Sequence, residues 1–196
     1  VGEDMELVVR LHHWAGETDS ASDVWHVPDP VCWTEVPSSV KVLSRQRTRW
    51  QRGLCETLWR HRQMIGKQRY GSVGTQALPS FLLFDIISPL LELLGLVMVP
   101  LCTAAGILSI DFFIAYCAVV FGFGLCLSLG AMILSEYSLQ HHRRVRDLIW
   151  LGVGAVVENF GYRQLNSWWR VQGIWHFLNR KQGWGAMPRR GFTKAA

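Results

Sequence analysis

Charge is absent from two long stretches of this 196-residue chain, residues 93–110 and 112–135, which only Asp111 separates. A helix needs about 20 apolar residues to cross a bilayer. The two stretches therefore predict a transmembrane helical hairpin within residues 78–136. The mean hydropathy of the chain is +0.14 although its formal net charge is +5. A chain that is both basic and apolar is neither an ordinary soluble domain nor a disordered one.

The chain also lacks the cysteine spacings of metal sites and of disulfide-rich scaffolds. None of its five cysteines forms a C-x-x-C pair, so we predict reduced, apolar side chains and no disulfide scaffold. The adjacent pairs His12–His13 and His141–His142 would diverge on a helix, so no metal site is predicted among them. The cysteines are Cys32, Cys55, Cys102, Cys117 and Cys126.

A signal peptide is missing as well. The chain opens on Val1 and an acidic cluster, with no basic segment and no apolar segment before it. We expect the chain to be a fragment whose N-terminal part is absent.

The charges that are present are distributed unevenly. Residues 37–72 hold nine basic residues and one acidic residue, and the loop at 137–147 and the tail at 171–196 are also basic. By the positive-inside rule, two spans place all three segments in the cytoplasm. The weaker apolar segment at 148–170, a third membrane or re-entrant helix, is therefore predicted not to cross completely.

The N-terminal segment, residues 1–36, has one basic and eight acidic residues. Apolar residues with helical spacing follow Glu3 and Asp4, which predicts a helix with both carboxylates at its N-terminus. Residues 24–27 and 31–33 are typical of short extended pieces. A helix followed by strands fits the last unit of an α/β domain.

Residues 37–77 predict an amphipathic interface region built on a long helix. Ser38 or Ser39 is the expected N-cap. Apolar residues at steps of three or four form one stripe, which only Arg47 interrupts, and arginines form another face. Such a helix ahead of a membrane hairpin is expected to lie on anionic lipid. Nucleic-acid binding, the other common role of a basic band, is disfavoured beside two membrane spans.

The order of these features resembles the membrane-type inverting family 2 glycosyltransferases, such as cellulose, hyaluronan, chitin and poly-N-acetylglucosamine synthases. Glu3-Asp4 in GEDMEL is similar to the third family motif, and QRTRW at residues 46–50 is similar to the fourth, Q-x-x-R-W. The linking VPDPVCWTEVPSS and the tail WGAMPRRGF also resemble family sequences. The resemblance implies the end of an α/β, GT-A-like catalytic domain followed by an α-helical transmembrane region.

The resemblance implies a role for each motif residue. Asp4 would take the proton from the acceptor hydroxyl, and Glu3 would shape the site. Arg49 would stabilise the leaving nucleoside diphosphate, with Gln46 as its hydrogen-bonding neighbour. Trp50 would line the acceptor site, because an aromatic face suits a sugar ring. Positions 46, 49 and 50 share one face of a helix.

The resemblance also implies the partners. They are a nucleotide-sugar donor, a growing polysaccharide or lipid-linked acceptor, membrane lipids, and envelope or export proteins. The D-x-D element that binds Mg²⁺ or Mn²⁺ belongs to the first half of such enzymes, and no D-x-D occurs here. We expect the metal ligands to lie outside this chain and the fragment to be inactive alone.

Two functions stay open at this point. The first is a hexosyltransferase of the bacterial inner membrane with its catalytic face in the cytoplasm, either processive or transferring a single sugar. The second is a non-catalytic envelope adaptor or receptor that retains the same scaffold. Intact Asp4, Gln46, Arg49 and Trp50 favour the enzyme.

Overall fold

The computed structural model describes residues 2–18, 24, 35–139 and 145–180, apart from the side chains of 138 and 139. Two 3₁₀ turns, Arg62–Met64 and Gln68–Tyr70, connect the second and third helices. The helices in this part of the chain are α1 (Glu3–Thr18), α2 (Val40–Arg60), α3 (Val73–Ala104), α4 (Ile110–Leu139), α5 (Val145–Val157) and α6 (Arg163–Leu178).

The helical part of the predicted fold class is confirmed, and its α/β part stays a prediction. The described residues contain no strand, and Val24 belongs to neither a helix nor a strand. The extended pieces predicted at 25–27 and 31–33 lie outside the described residues. So do residues 140–144 of the predicted basic loop and the tail beyond residue 180.

The chain divides into two compact units, Val1–Leu90 with Trp168–Ala196 and Leu91–Ser167. In the first unit, α1 and α2 pack around a small apolar core that also includes the turns after α2. Its buried members are Val9, Leu54, Leu58, Met64, Tyr70 and Leu78. Trp50 and Val40, from the N-terminal half of the α2 apolar stripe, are 49% and 66% exposed. The core of this unit therefore surrounds only the C-terminal half of α2.

A turn that contains Gly106 joins α3 to α4. The N–H of Gly106 donates to the carbonyl of Thr103 at 3.0 Å, and Gly106 has a φ of 72°. The N–H of Ile107 donates to the carbonyl of Cys102 at 2.9 Å. These two bonds form a Schellman C-cap, which favours glycine at the left-handed position. The two apolar runs that Asp111 separates in the sequence are therefore divided in the structure a few residues earlier, because the backbone turns at this glycine.

Helix α3 and residues 110–137 of α4 are each long and apolar enough to cross a membrane. Only 6% of the most apolar 18-residue window in each is buried, whereas the core helix of a soluble protein would be mostly covered. This combination weakly suggests membrane association. Helices α3 and α4 also approach closely, since a Cβ on Gly95 would lie 2.6 Å from the Tyr116 hydroxyl.

Three charged residues within the second unit, Glu92, Glu158 and Arg163, are paired with neighbouring polar groups. Glu92 accepts hydrogen bonds from Arg163 Nε at 3.0 Å and from Ser167 Oγ at 2.7 Å. Ser128 Oγ donates to the Glu158 carboxylate at 2.5 Å. Ionisable groups among apolar helices are costly unless they are paired, and these bonds reduce that cost.

The third apolar segment is broken by a kink between α5 and α6. Phe160 (φ −106°, ψ 89°) and Gly161 (φ 100°, ψ −51°) both leave the helical conformation. The positive φ at Gly161 favours glycine, and its N–H donates to Gln164 Oε1 at 2.8 Å. The segment predicted at 148–170 is therefore two helices rather than one. That it does not cross the bilayer remains a prediction.

The cysteines within the described residues are free, as predicted. Burial raises the pKa of the Cys55 thiol to about 12, so this side chain stays a protonated apolar residue. Cys32 lies outside the described residues.

Candidate active site

The start of α1 lies directly against the middle of α2. A Cβ on Gly2 would lie 3.4 Å from the Cα of the buried Gly53, so the two backbones approach as closely as glycines allow. This contact holds Glu3 and Asp4 next to Gly53. Arg49 precedes Gly53 by four residues, about 6 Å along the helix axis. The structure therefore brings the two predicted motifs together.

Helix α2 holds the three Q-x-x-R-W side chains on one face, as the sequence predicts. Ser39 caps its N-terminus, since its Oγ accepts from Val42 N–H at 3.3 Å. The helix continues without a break to Arg60. Gln46, Arg49 and Trp50, at positions i, i+3 and i+4, therefore form one patch. Gln46 and Arg49 are half-buried and Trp50 is exposed. Asp4 and Glu3, at the first turn of α1, are exposed as well.

Sequence reasoning missed the role of Arg47, which it treated only as an interruption of the apolar stripe. The Arg47 guanidinium carbon lies 5.0 Å from the centroid of the Trp50 ring. A cation–π contact of this kind contributes roughly 0.5–1 kcal/mol at an exposed position, and here it orients the indole. An arginine three residues before a tryptophan on a helix could have indicated the contact.

A polar cluster on the other side of α2 fixes the position of this helix. Gln51 Nε2 donates to the backbone carbonyl of Asp85 at 2.5 Å, and Arg170 Nη2 donates to the same carbonyl at 3.1 Å. Pro89, four residues after Asp85, has no N–H to donate to that carbonyl. Arg170 also binds Gln51 Oε1 at 3.0 Å and pairs with the Asp85 carboxylate. The cluster thus satisfies a backbone acceptor that the proline leaves open.

Thr48 ties α2 to α6 at a second point. Its hydroxyl is buried and donates to the carbonyl of Trp169 at 3.2 Å. Gly173 lies against the same surface, where a Cβ would come within 2.6 Å of the Thr48 carbonyl oxygen and of the Gln51 Cβ. Residues 48 and 51 therefore anchor α2, whereas residues 46, 49 and 50 form the candidate site.

A buried carboxylate links α1 to the end of α2. Glu6 accepts hydrogen bonds from Arg10 Nε at 3.1 Å and from Arg60 Nη1 at 3.2 Å, and His61 Nε2 lies 3.4 Å from the same carboxylate. The bond from Arg10, with smaller contributions from His61 and Arg60, lowers the pKa of Glu6 to about 2. Burial lowers the pKa of His61. The ionised Glu6 thus holds the helix that presents Asp4.

Replacing Glu6 by Gln is expected to destabilise the protein by about 1.5–3 kcal/mol, because charge-assisted hydrogen bonds are lost. The folded pKa of about 2 lies below the ordinary value of 4.5. The stabilisation that the ionised Glu6 gives the folded protein is therefore complete above pH 4.5 and is lost as the pH falls towards 2. Thermal unfolding of the detergent-solubilised protein across this pH range checks both effects.

The matched control for this prediction is Glu17→Gln. Glu17 also lies on α1, but its carboxylate is 48% exposed. Its loss is expected to cost less than about 1 kcal/mol. Equal destabilisation by the two variants would contradict the role assigned to Glu6.

A resident metal does not fit the described residues. They contain no group of three or more His, Cys, Asp or Glu side chains arranged to hold a metal ion. The described part of the site offers a carboxylate, a guanidinium, an amide and an indole.

One comparison with known proteins gives a match. The family model described as glycosyl transferase family group 2 matches residues 1–176. No curated protein and no solved structure matches.

Proposed function

The chain belongs to glycosyl transferase family group 2, and from this premise we propose that it transfers a sugar, with inversion, from a nucleotide-sugar donor to a growing polysaccharide or a lipid-linked acceptor. Family membership implies glycosyl transfer, with a nucleotide-sugar donor and an acceptor. The contact of Gly2 with Gly53 carries the finer proposal, because it joins the Glu3–Asp4 turn to the Q-x-x-R-W helix.

Each side chain of the candidate site has a property that suits one step of the transfer. The exposed Asp4 carboxylate can accept the proton of an attacking acceptor hydroxyl. The Arg49 guanidinium keeps its charge and can stabilise a departing diphosphate, with Gln46 beside it. The exposed face of Trp50 can support a sugar ring. Glu3 shapes the acceptor side of the site.

We place the enzyme in the bacterial inner membrane with the candidate site on the cytoplasmic face. The two uncovered apolar helices support membrane insertion, and the basic band at 37–72 supports the orientation. The Mg²⁺ or Mn²⁺ expected from the resemblance would be held by other residues than those described. Envelope or export proteins remain expected partners.

A transfer assay tests the proposal. Vesicles that contain the complete protein are supplied with a panel of radiolabelled nucleotide-sugars. Label is expected in a polymer or a lipid product, and the product length separates processive from single transfer. Failure to label either product from any donor would favour the adaptor alternative.

Trp50→Ala is expected to reduce transfer to the acceptor by about tenfold while changing hydrolysis of the donor by water much less. The indole would contact the acceptor sugar but not the donor phosphates, and one aromatic contact contributes about 1 kcal/mol beyond area burial. The ratio of transfer to hydrolysis in the same vesicles measures the effect.

Trp59→Ala is the matched control. Trp59 lies on the same helix, is 62% exposed, and has the Arg62 guanidinium carbon 4.7 Å from its ring centroid. It therefore resembles Trp50 in exposure and in its cation partner but lies outside the motif. A ratio that falls equally in both variants would speak against an acceptor role for Trp50.

A further inference from the structure

A small cavity lies beside the first turn of α1 and is separate from the Q-x-x-R-W patch. Its volume is about 120 Å³, and it is lined by Glu3, Glu6, Glu56, Thr57 and Arg60. At about 30 Å³ per water molecule, it holds roughly four waters. One edge of a sugar ring, with two hydroxyl groups, fits such a space better than a whole sugar.

The hydroxyl of Thr57 has no hydrogen-bond partner among the described residues, although the residue is only 1% exposed. A buried hydroxyl without a partner is destabilising by about 1–3 kcal/mol, so native proteins rarely retain one without a reason. Thr57 lines the cavity, so a ligand placed there could accept or donate the missing bond.

The other groups of the cavity wall show which ligand would fit. The charge of Glu6 is offset by Arg10, Arg60 and His61, and Glu56 pairs with Arg52 at 3.2 Å.

The carboxylate of Glu3 makes no ion pair with any residue that the structure describes. The cavity thus offers one neutral hydroxyl and one carboxylate that is not neutralised by any described residue. Neighbouring hydroxyl groups of a carbohydrate match this pair, because a hydroxyl can both donate to Glu3 and accept from Thr57.

We propose that this cavity binds ring hydroxyls of the acceptor sugar and thereby selects the acceptor. The inference rests on the proposed function, since the base Asp4 lies beside Glu3 on the same helical turn. Thr57 is one helical turn beyond Gly53, and Arg49 is one turn before it. The proposed acceptor subsite and the arginine assigned to the leaving diphosphate therefore lie on opposite sides of the point where α1 meets α2.

Thr57→Val tests the proposal in the complete protein. The change removes only the hydroxyl, so the folded state is expected to be as stable as the wild type or more stable. The KM for the acceptor is expected to rise about tenfold with kcat little changed. Thr57→Ser, which retains the hydroxyl, is expected to restore the wild-type KM.

Thr48→Val is the matched control on the same helix. The Thr48 hydroxyl has a partner in the fold, the carbonyl of Trp169, so its loss is expected to lower the melting temperature and to leave the acceptor KM unchanged. Loss of stability in Thr57→Val, or an unchanged KM, would overturn the proposal.

Binding without a donor separates this inference from the proposed function. Saturation-transfer NMR of the solubilised complete protein would use D-glucose, N-acetyl-D-glucosamine and D-mannose, each alone. At least one sugar is expected to give a signal in the wild type and in Thr57→Ser but not in Thr57→Val. No signal from the wild type, or an equal signal from Thr57→Val, contradicts the subsite even if transfer activity is present. Absent transfer with Thr57-dependent binding would instead contradict the proposed function alone.

Discussion

Replacing Asp4 by Asn is expected to lower the turnover number of the complete protein by about 10²–10⁴-fold, the contribution of a general base. Asparagine keeps the size of the side chain but cannot take a proton from the acceptor hydroxyl. The affinity for the nucleotide-sugar is expected to stay unchanged, because the proposed role of Asp4 is on the acceptor side. Rates of labelled transfer and equilibrium binding of the donor measure the two quantities separately.

The position of Asp4 in the structure indicates that Asp4→Asn will change stability very little. The side chain is exposed at the first turn of α1, and its charge contributes at most about 1 kcal/mol through the helix dipole. Glu17→Gln is the informative control, since it removes an exposed carboxylate from the same helix outside the candidate site. Unchanged turnover in Asp4→Asn, or an equal loss in Glu17→Gln, would defeat the assignment of the base.

The sequence predicted those parts of the fold that depend on local patterns. Helix α2 follows from its N-cap at Ser39 and its spacing of apolar residues, and α1 follows from similar spacing after Glu3. Both signals act within a few residues of the chain. The turn at Gly106 was missed because uncharged residues continue through it, so hydropathy gave no sign of the break.

Contacts between distant residues could not be predicted in the same way. The approach of Gly2 to Gly53 leaves no periodic pattern in the sequence, because glycine at position 2 or 53 is equally compatible with a turn or a loose end. The bonds from Gln51 and Arg170 to the Asp85 carbonyl likewise join parts of the chain that no motif connects. Pro89 was the available clue, since it leaves that carbonyl without its helical donor.

The candidate site was therefore predicted as a set of residues but not as an arrangement. The motif spacing gave Gln46, Arg49 and Trp50 on one face, and the resemblance gave Asp4 and Glu3. The packing of α1 on α2 adds the close approach of the start of α1 to the Q-x-x-R-W helix. It also adds Thr57, whose unpartnered hydroxyl is visible only once the helices are packed.

Arg49→Gln is expected to lower the turnover number by about 10²–10³-fold, the usual loss when a group that stabilises transition-state charge is removed. Negative charge grows on the diphosphate as the bond to the sugar breaks, and a neutral amide stabilises it less than a guanidinium does. Arg49→Lys is expected to recover only part of the rate, because lysine keeps the charge but not the paired donors. Turnover measured at saturating donor and acceptor checks both variants.

Arg45→Gln distinguishes the role of Arg49 at the leaving group from binding of the basic helix to lipid. Arg45 lies one turn before Arg49 on α2 and is exposed, so each change removes one positive charge from the same basic helix. Binding to anionic vesicles is expected to weaken similarly in both, by about 1 kcal/mol. Turnover at saturating substrates is expected to fall only in Arg49→Gln. If the two variants lose turnover equally, the basic band acts through the membrane surface, and Arg49 has no separate role at the leaving group.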